Sequence, residues 1–260
     1  MLSLICSDHP QSYSLPVKIF GHGRLPQVGR PGISIFDIQA RIGQSSPEIH
    51  AFFPRNLTIR QTIQNAWADT FRSTPKLSDK CRSHVDHCLR WFEPELNPDF
   101  RQGQFPDLVS HTVPTHWADT LRFGDAPFSF QRVVLFLRAL VKKPDLVVLD
   151  EAFSGMDEAI RDKCMLFLAW GVTRQLRVWR GKKSVVANDS QAWEGLGMNG
   201  MTEDQALICV SHVKEEVPGL VREWMCLPEA IEGEPPRFGR FAGPLESYED
   251  EWNKIWGIKK

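Results

Sequence analysis

No stretch of this sequence approaches the roughly 18 uninterrupted apolar residues that a membrane-spanning helix needs. The longest candidate, Val133 to Leu137, is stopped by Arg138, so any service to a membrane is expected from outside the bilayer. No basic leader opens the chain; Asp8, His9 and Pro10 end the first apolar run too early for a secretory signal. An excess of one charge is also missing. Lys and Arg number 31 against 32 Asp and Glu, a net charge of −1, which gives no reason to expect nucleic acid or an anionic membrane as partner. Disulfide spacing is missing too. The six cysteines are scattered, and several sit in apolar runs such as Leu207-Ile208-Cys209-Val210, where Cys acts as a small core hydrophobe. A reducing compartment, cytoplasmic or similar, is the expectation.

What is present suits a packed globular chain. Its 260 residues are 42% apolar and 24% charged, enough for one large domain or two small ones. Residues 2–5 suggest a helix already in progress, Pro16 to Gly21 a short strand closed by Gly, 21–34 a loop, and Ile35 to Ile42 a strand. From Thr58 to Phe123 the texture is helical and broken by prolines; Ser78 can cap a helix whose Cys81, Val85, Cys88, Leu89 and Phe92 share a face. Phe130 to Val141 is an apolar helix stopped by Lys142-Lys143-Pro144. Leu146 to Leu149 has the continuous apolarity of a strand buried on both faces. A helix over Glu158 to Trp170, a polar loop over 171–204 and a second buried strand over Ala206 to Val210 follow. Strand, helix, strand in this order argues for a parallel sheet. The hexapeptides Trp67-Ala68-Asp69-Thr70-Phe71-Arg72 and Trp117-Ala118-Asp119-Thr120-Leu121-Arg122 nearly coincide, but their flanks do not match, so no repeat is inferred.

The strongest chemical signal is Leu146-Val147-Val148-Leu149-Asp150-Glu151, a buried strand ending in two carboxylates at its carboxyl edge. Open α/β sheets bind ligands at that edge. In a phosphoryl-transfer site Asp150 would hold Mg²⁺, directly or through water, and Glu151 would orient or deprotonate the attacking water. Standing alone, the same pattern describes a strand ending in a solvated acidic turn. Here Ser154-Gly155-Met156-Asp157 follows at once, Gln131-Arg132 opens the preceding apolar helix, and the next strand ends in Ser211-His212. Cys81, His84, His87 and Cys88 are metal-ligand types, but Cys81 and Cys88 already fit the apolar stripe of one helix, whereas zinc sites draw on more than one element.

In this order the motifs resemble those of the ATP-binding cassette (ABC) ATPases. The resemblance covers nearly the whole chain and is strongest to soluble tandem-cassette proteins of the molybdate and photorepair type and their fungal relatives. It implies an α/β fold: a P-loop NTPase (RecA-like) parallel-sheet core over 1–57 and 124–221, incomplete at the N-terminus. A helical subdomain (58–123) is inserted into it and a tail (222–260) follows. It makes residues 146–151 the Walker B strand, with Asp150 the Mg²⁺ carboxylate and Glu151 the general base. Residues 154–157 become the D-loop, whose Asp157 couples two cassettes, and His212 becomes the switch histidine that senses the γ-phosphate. The implied cofactors are ATP and Mg²⁺, and the implied partner is a second cassette, in the same protein or another chain.

Three departures bear on activity. No G-x-x-x-x-G-K-[ST] occurs, so the Lys and amide cradle for the β- and γ-phosphates are absent; residues 2–21 resemble the helix and strand that follow such a loop. The strand leading into that loop is expected beside the Walker B strand, so its absence would expose the flank of Leu146 to Leu149. Second, Ala126-Pro127-Phe128-Ser129-Phe130 stands where the Leu-Ser-Gly-Gly-Gln signature belongs. Pro127 has no amide hydrogen and Phe128 places a ring where close approach is needed, although Ser129 can still offer a hydroxyl. Third, Pro47 takes the place of the usual Q-loop Gln, with Gln44 nearby but out of register. These departures keep two alternatives to hydrolysis open: a degenerate, regulatory cassette, or a fragment of a longer tandem protein.

Overall fold

The computed structural model describes residues 15–29, 31–100, 115–179, 182–187, 199–228 and 235–258, with the backbone alone over 173–179 and 182–187. The helix expected over residues 2–5 lies outside them. The chain divides into two compact units, residues 1–208 and 209–260.

The first unit opens with β1 (Lys18–Ile19) and β2 (His22–Gly23), paired antiparallel across Phe20 and Gly21, both at positive φ. A hairpin therefore replaces the single strand expected over Pro16 to Gly21. The strand expected over Ile35 to Ile42 is mostly helix: α1 (Ile35–Arg41) leads directly into β3 (Ile42–Ser45). The cause is local. The Ser34 hydroxyl accepts from the Asp37 amide, and the Asp37 carboxylate accepts from the Ser34 amide, closing a capping box that nucleates a helix. Those bonds from Ser34 also hold the Asp37 carboxyl below its usual range.

Next come α2 (Pro47–Phe52), capped by Ser46, and α3 (Ile59–Gln64), whose Thr58 and Gln61 form a second capping box. Then α4 (Asp79–Trp91) is capped by Ser78, followed by α5 (Glu93–Leu96) and α6 (Trp117–Thr120). On α4 the expected stripe is inside: Val85, Cys88, Leu89 and Phe92 are buried and Cys81 partly so. The ends of this stretch meet, with the Ile59 amide donating to Leu121 O and the Phe123 amide to Leu57 O. Arg60 ties them further through Asp86 and Asp119. The near-identical hexapeptides differ in structure: Trp67 ends a 3₁₀ turn, whereas Trp117 opens α6.

Helix α7 (Phe128–Leu140) follows, with Val133 to Leu137 and Ala139 buried. It runs into β4 (Leu146–Asp150), then α8 (Glu158–Trp170). The polar loop expected over 171–204 instead contains an antiparallel hairpin, β5 (Arg174–Trp179) with β6 (Lys182–Ala187). Short alternations such as Leu176-Arg177-Val178 favour strand, and the surrounding charge masked them in the sequence. Strand β7 (Ala206–Val210) has the expected bounds but not the expected burial: Ala206 and Val210 are exposed and Leu207 to Cys209 half-buried. Its first three residues close the first unit.

The central sheet has the order β3-β4-β7, with β3 parallel to β4. Strand β4 is therefore central. Val147, Val148 and Leu149 are fully buried, which overturns the expectation that the flank of this strand is exposed. One face of the sheet packs Ile42 and Val148 on Ile19, Ile33 and Ile38. The second unit pairs β8 (Glu223–Cys226) with β9 (Arg237–Arg240) and ends in α9 (Glu249–Ile255). Its small core is Phe241, Leu245 and Trp252.

Candidate functional site

Parallel pairing of Gln44 with Val148 and Ser45 with Leu149 brings the carboxyl ends of β3 and β4 side by side. Two parallel strands in register bring their terminal residues to one edge, where the chain must turn. Asp150 ends β4 half-buried, and Glu151, the next residue, takes φ 45°. A left-handed conformation costs a side-chain-bearing residue on the order of 1–2 kcal/mol, so the surroundings must hold it.

Arg132, on the buried face of α7 and 3% exposed, reaches this turn. Its Nη2 donates to Glu151 O and its Nε donates to Ser154 O at 3.2 Å. The turn closes on itself with the Ser154 amide donating to Glu151 O, and Gly155 takes φ 77°. Gly155 is needed for space as well. A Cβ there would lie 2.6 Å from Cε1 of Phe128, whose ring covers the turn. Asp157 then precedes α8 as an exposed N-cap residue.

Helix α7 also reaches α2. His50 Nε2 and Gln131 Oε1 are 2.8 Å apart, and Gln131 Nε2 donates to Ala126 O at 2.7 Å. The His50 ring meets Phe128 edge to face at 4.9 Å. Burial holds the His50 pKa below its usual value, partly opposed by the Gln131 hydrogen bond. In the first turn of α7, Ser129 has its hydroxyl buried without a hydrogen-bond partner.

A cavity of about 760 Å³ adjoins this edge, lined in part by Gln44, Ser46, Phe71, Arg138, Lys142 and Asp150. Gln44 thus shares a cavity with Asp150, while Pro47 serves as the first residue of α2. Arg138 donates to Asn65 Oδ1 at 3.2 Å, and Lys142 donates to Gln39 O at 2.5 Å. Burial, helped by the charge of Arg138, pushes Lys142 down to about 8. His212 belongs to the second unit, exposed, two residues beyond β7.

Whether these groups suit a divalent cation follows from their chemistry. Asp150 and Glu151 provide hard oxygen donors, and one or two carboxylates suit a Mg²⁺ that keeps most of its water. Among the described residues no group of three or more His, Cys, Asp and Glu side chains is placed to hold a metal. His84, His87 and Cys88 are instead buried along α4. No helix among the described residues is long and apolar enough to cross a membrane.

No family model matches the chain. It is 37% identical over 157 residues to an uncharacterized ABC transporter ATP-binding protein of Schizosaccharomyces pombe, covering 60% of this chain and 27% of that protein. A second uncharacterized ABC transporter ATP-binding protein, of Saccharomyces cerevisiae, is 29% identical over 197 residues, 72% of this chain and 31% of the relative. The ABC transporter ATP-binding protein ModF of Escherichia coli is 30% identical over 168 residues, 65% of this chain and 29% of the relative. The chain is related to the ABC transporter ATP-binding proteins. It spans under a third of the length of each of these three relatives.

Within this ABC-related chain, the structure brings Gln44 and Asp150 to one cavity, with Glu151 next to Asp150 in sequence and Ser129 in the first turn of α7. Two contributors were not assigned from the sequence. His50 carried no motif. Arg132 had a usable signal, since an Arg flanked by Val133, Val134 and Leu135 on an apolar helix is buried and must find acceptors.

Proposed function

We propose that this chain is the part of an ABC-type ATPase that carries the metal and general-base carboxylates, and that it works with a second cassette. The supporting observation is the pair Asp150-Glu151 at the carboxyl end of the central strand, beside Gln44 and on a turn gripped by Arg132. In this reading Asp150 holds Mg²⁺, which when bound neutralises phosphate charge. Glu151 accepts the proton of the attacking water, Gln44 and Ser129 contact the bound nucleotide assembly, Asp157 couples the cassettes, and His212 senses the γ-phosphate. The domain reading belongs to the same proposal: an α/β core over 1–57 and 124–221, a helical subdomain over 58–123 and a tail over 222–260. The phosphate-cradling amides and their Lys come from outside these 260 residues, because the sequence holds no G-x-x-x-x-G-K-[ST].

The test is ATP turnover by the protein purified, tagged, from its own cells with whatever accompanies it. Magnesium-dependent turnover is expected, abolished by EDTA and by Asp150→Asn. Turnover that survives Asp150→Asn refutes the metal assignment. One observation favours a second, regulatory reading: the Phe128 ring stands at the head of α7, 53% exposed, where the family's glycines allow a partner nucleotide close. Nucleotide binding with no turnover in the unmodified protein would select that reading.

A further inference from the structure

The left-handed backbone at Glu151 requires explanation because nothing in a β-strand terminus demands it. Glycine is the residue that takes φ 45° freely, and the position is held by Glu. One guanidinium reaches across the turn to two carbonyls three residues apart, Glu151 O and Ser154 O. The guanidinium fork is planar and rigid, so two acceptors gripped by one fork are fixed relative to each other, which an ammonium cannot do. The fork itself is anchored. Arg132 is buried beside Val133 and Val134, and α7 lies so close to β3 that a Cβ on Gly43 would meet Ala139 O at 1.8 Å. From the same helix, Phe128 lies against Gly155, with the Arg132 guanidinium 5.8 Å from its ring centre.

We propose that Arg132 is a positioning residue for Glu151, its buried guanidinium fixing the left-handed backbone that sets the direction in which the Glu151 side chain leaves the strand. The role rests on the reading of Glu151 as general base. It gives Arg132 a function apart from any nucleotide contact: α7, packed closely on β3, holds the backbone of the residue that follows β4.

The test uses the whole chain and two readouts. Amide hydrogen exchange is measured in wild type and Arg132→Lys, each with Glu151 and with Glu151→Gly. With Glu151 present, R132K is expected to speed exchange of the Ser154 and Met156 amides at least about tenfold, leaving those of Val147 to Leu149 unchanged. With Glu151→Gly, which takes the left-handed conformation without strain, the same substitution should change them less than about threefold. Equal acceleration in both backgrounds, acceleration spread through β4, or no acceleration overturns the proposal. The second variant set guards against simple misfolding: with Arg132 intact, E151G should melt above Glu151→Ala, which loses the same side chain but keeps the left-handed strain. An E151G protein melting at or below Glu151→Ala shows the backbone there is unstrained and overturns the proposal. Where turnover is present, R132K should lower kcat at least about tenfold with KM for ATP within twofold, and should add nothing in a Glu151→Gln background. A structural buttress would not produce that split. Absence of turnover in wild type would count against the proposed function, while hydrogen exchange still decides the role of Arg132.

Discussion

Replacing Gly43 by Ala should separate the helix that carries the site from the sheet that carries it. A Cβ built on Gly43 lies 1.8 Å from Ala139 O, and 2.8 Å from both Ala139 C and Pro144 Cγ. An ordinary contact needs about 3.4 Å or more, so α7 and β3 must part by roughly 1.5 Å, and the nearest obstructing atoms are Ala139 backbone that cannot rotate away. Overpacking of this kind costs about 1–3 kcal/mol, here at the upper end because Val133 to Leu137 lose their close fit together. At about 2–4 °C per kcal/mol for a chain of this size, Gly43→Ala should lower the melting temperature by about 6–12 °C. Gly21→Ala is the control. Its φ is 79° with nothing within 4 Å, so only backbone strain acts, about 1 kcal/mol. Thermal unfolding followed by circular dichroism reads both. A Gly43→Ala protein melting within about 2 °C of wild type would refute the close packing of α7 on β3.

Two further predictions concern charge. Lys142 is held down to about 8 against 10.5 for an unburied Lys, so between those pH values the unfolded chain binds more protons and stability from this group rises with pH. Lys142→Gln should therefore flatten the rise in melting temperature from pH 7.5 to 9.5; an unchanged slope contradicts the buried environment. His212 is exposed, so His212→Ala should leave the melting temperature within about 2 °C of wild type while lowering ATP turnover. A large loss of stability with normal turnover would assign it to structure instead.

The elements legible in the sequence were those whose own residues settle them. Strand β4 announces itself as four apolar residues ending in charge, three of them fully buried, and α8 keeps the expected bounds because Asp157 precedes a helical period that Gly171 ends. Helix α1 departs from the strand expectation because Ile35, Ile38 and Ile42 are strand formers, while the deciding information lies in Ser34, one residue upstream, and its partner Asp37. The β5–β6 hairpin was hidden by its Arg and Lys content, since alternation over six residues is a weak signal beside so much charge. At the candidate site, Asp150 and Glu151 were visible as a motif. The grip of Arg132 on their turn was not, because it joins residues 19 and 22 apart through backbone carbonyls, which carry no sequence signature.

Glu151→Gln isolates the proton-accepting role of Glu151, since the amide keeps size and hydrogen bonding but cannot accept a proton at neutral pH. ATP affinity and turnover are measured side by side on the protein purified from its own cells. Affinity should be unchanged and turnover lower by at least about a hundredfold, the scale of general-base loss. Turnover near that of the unmodified protein would contradict that role.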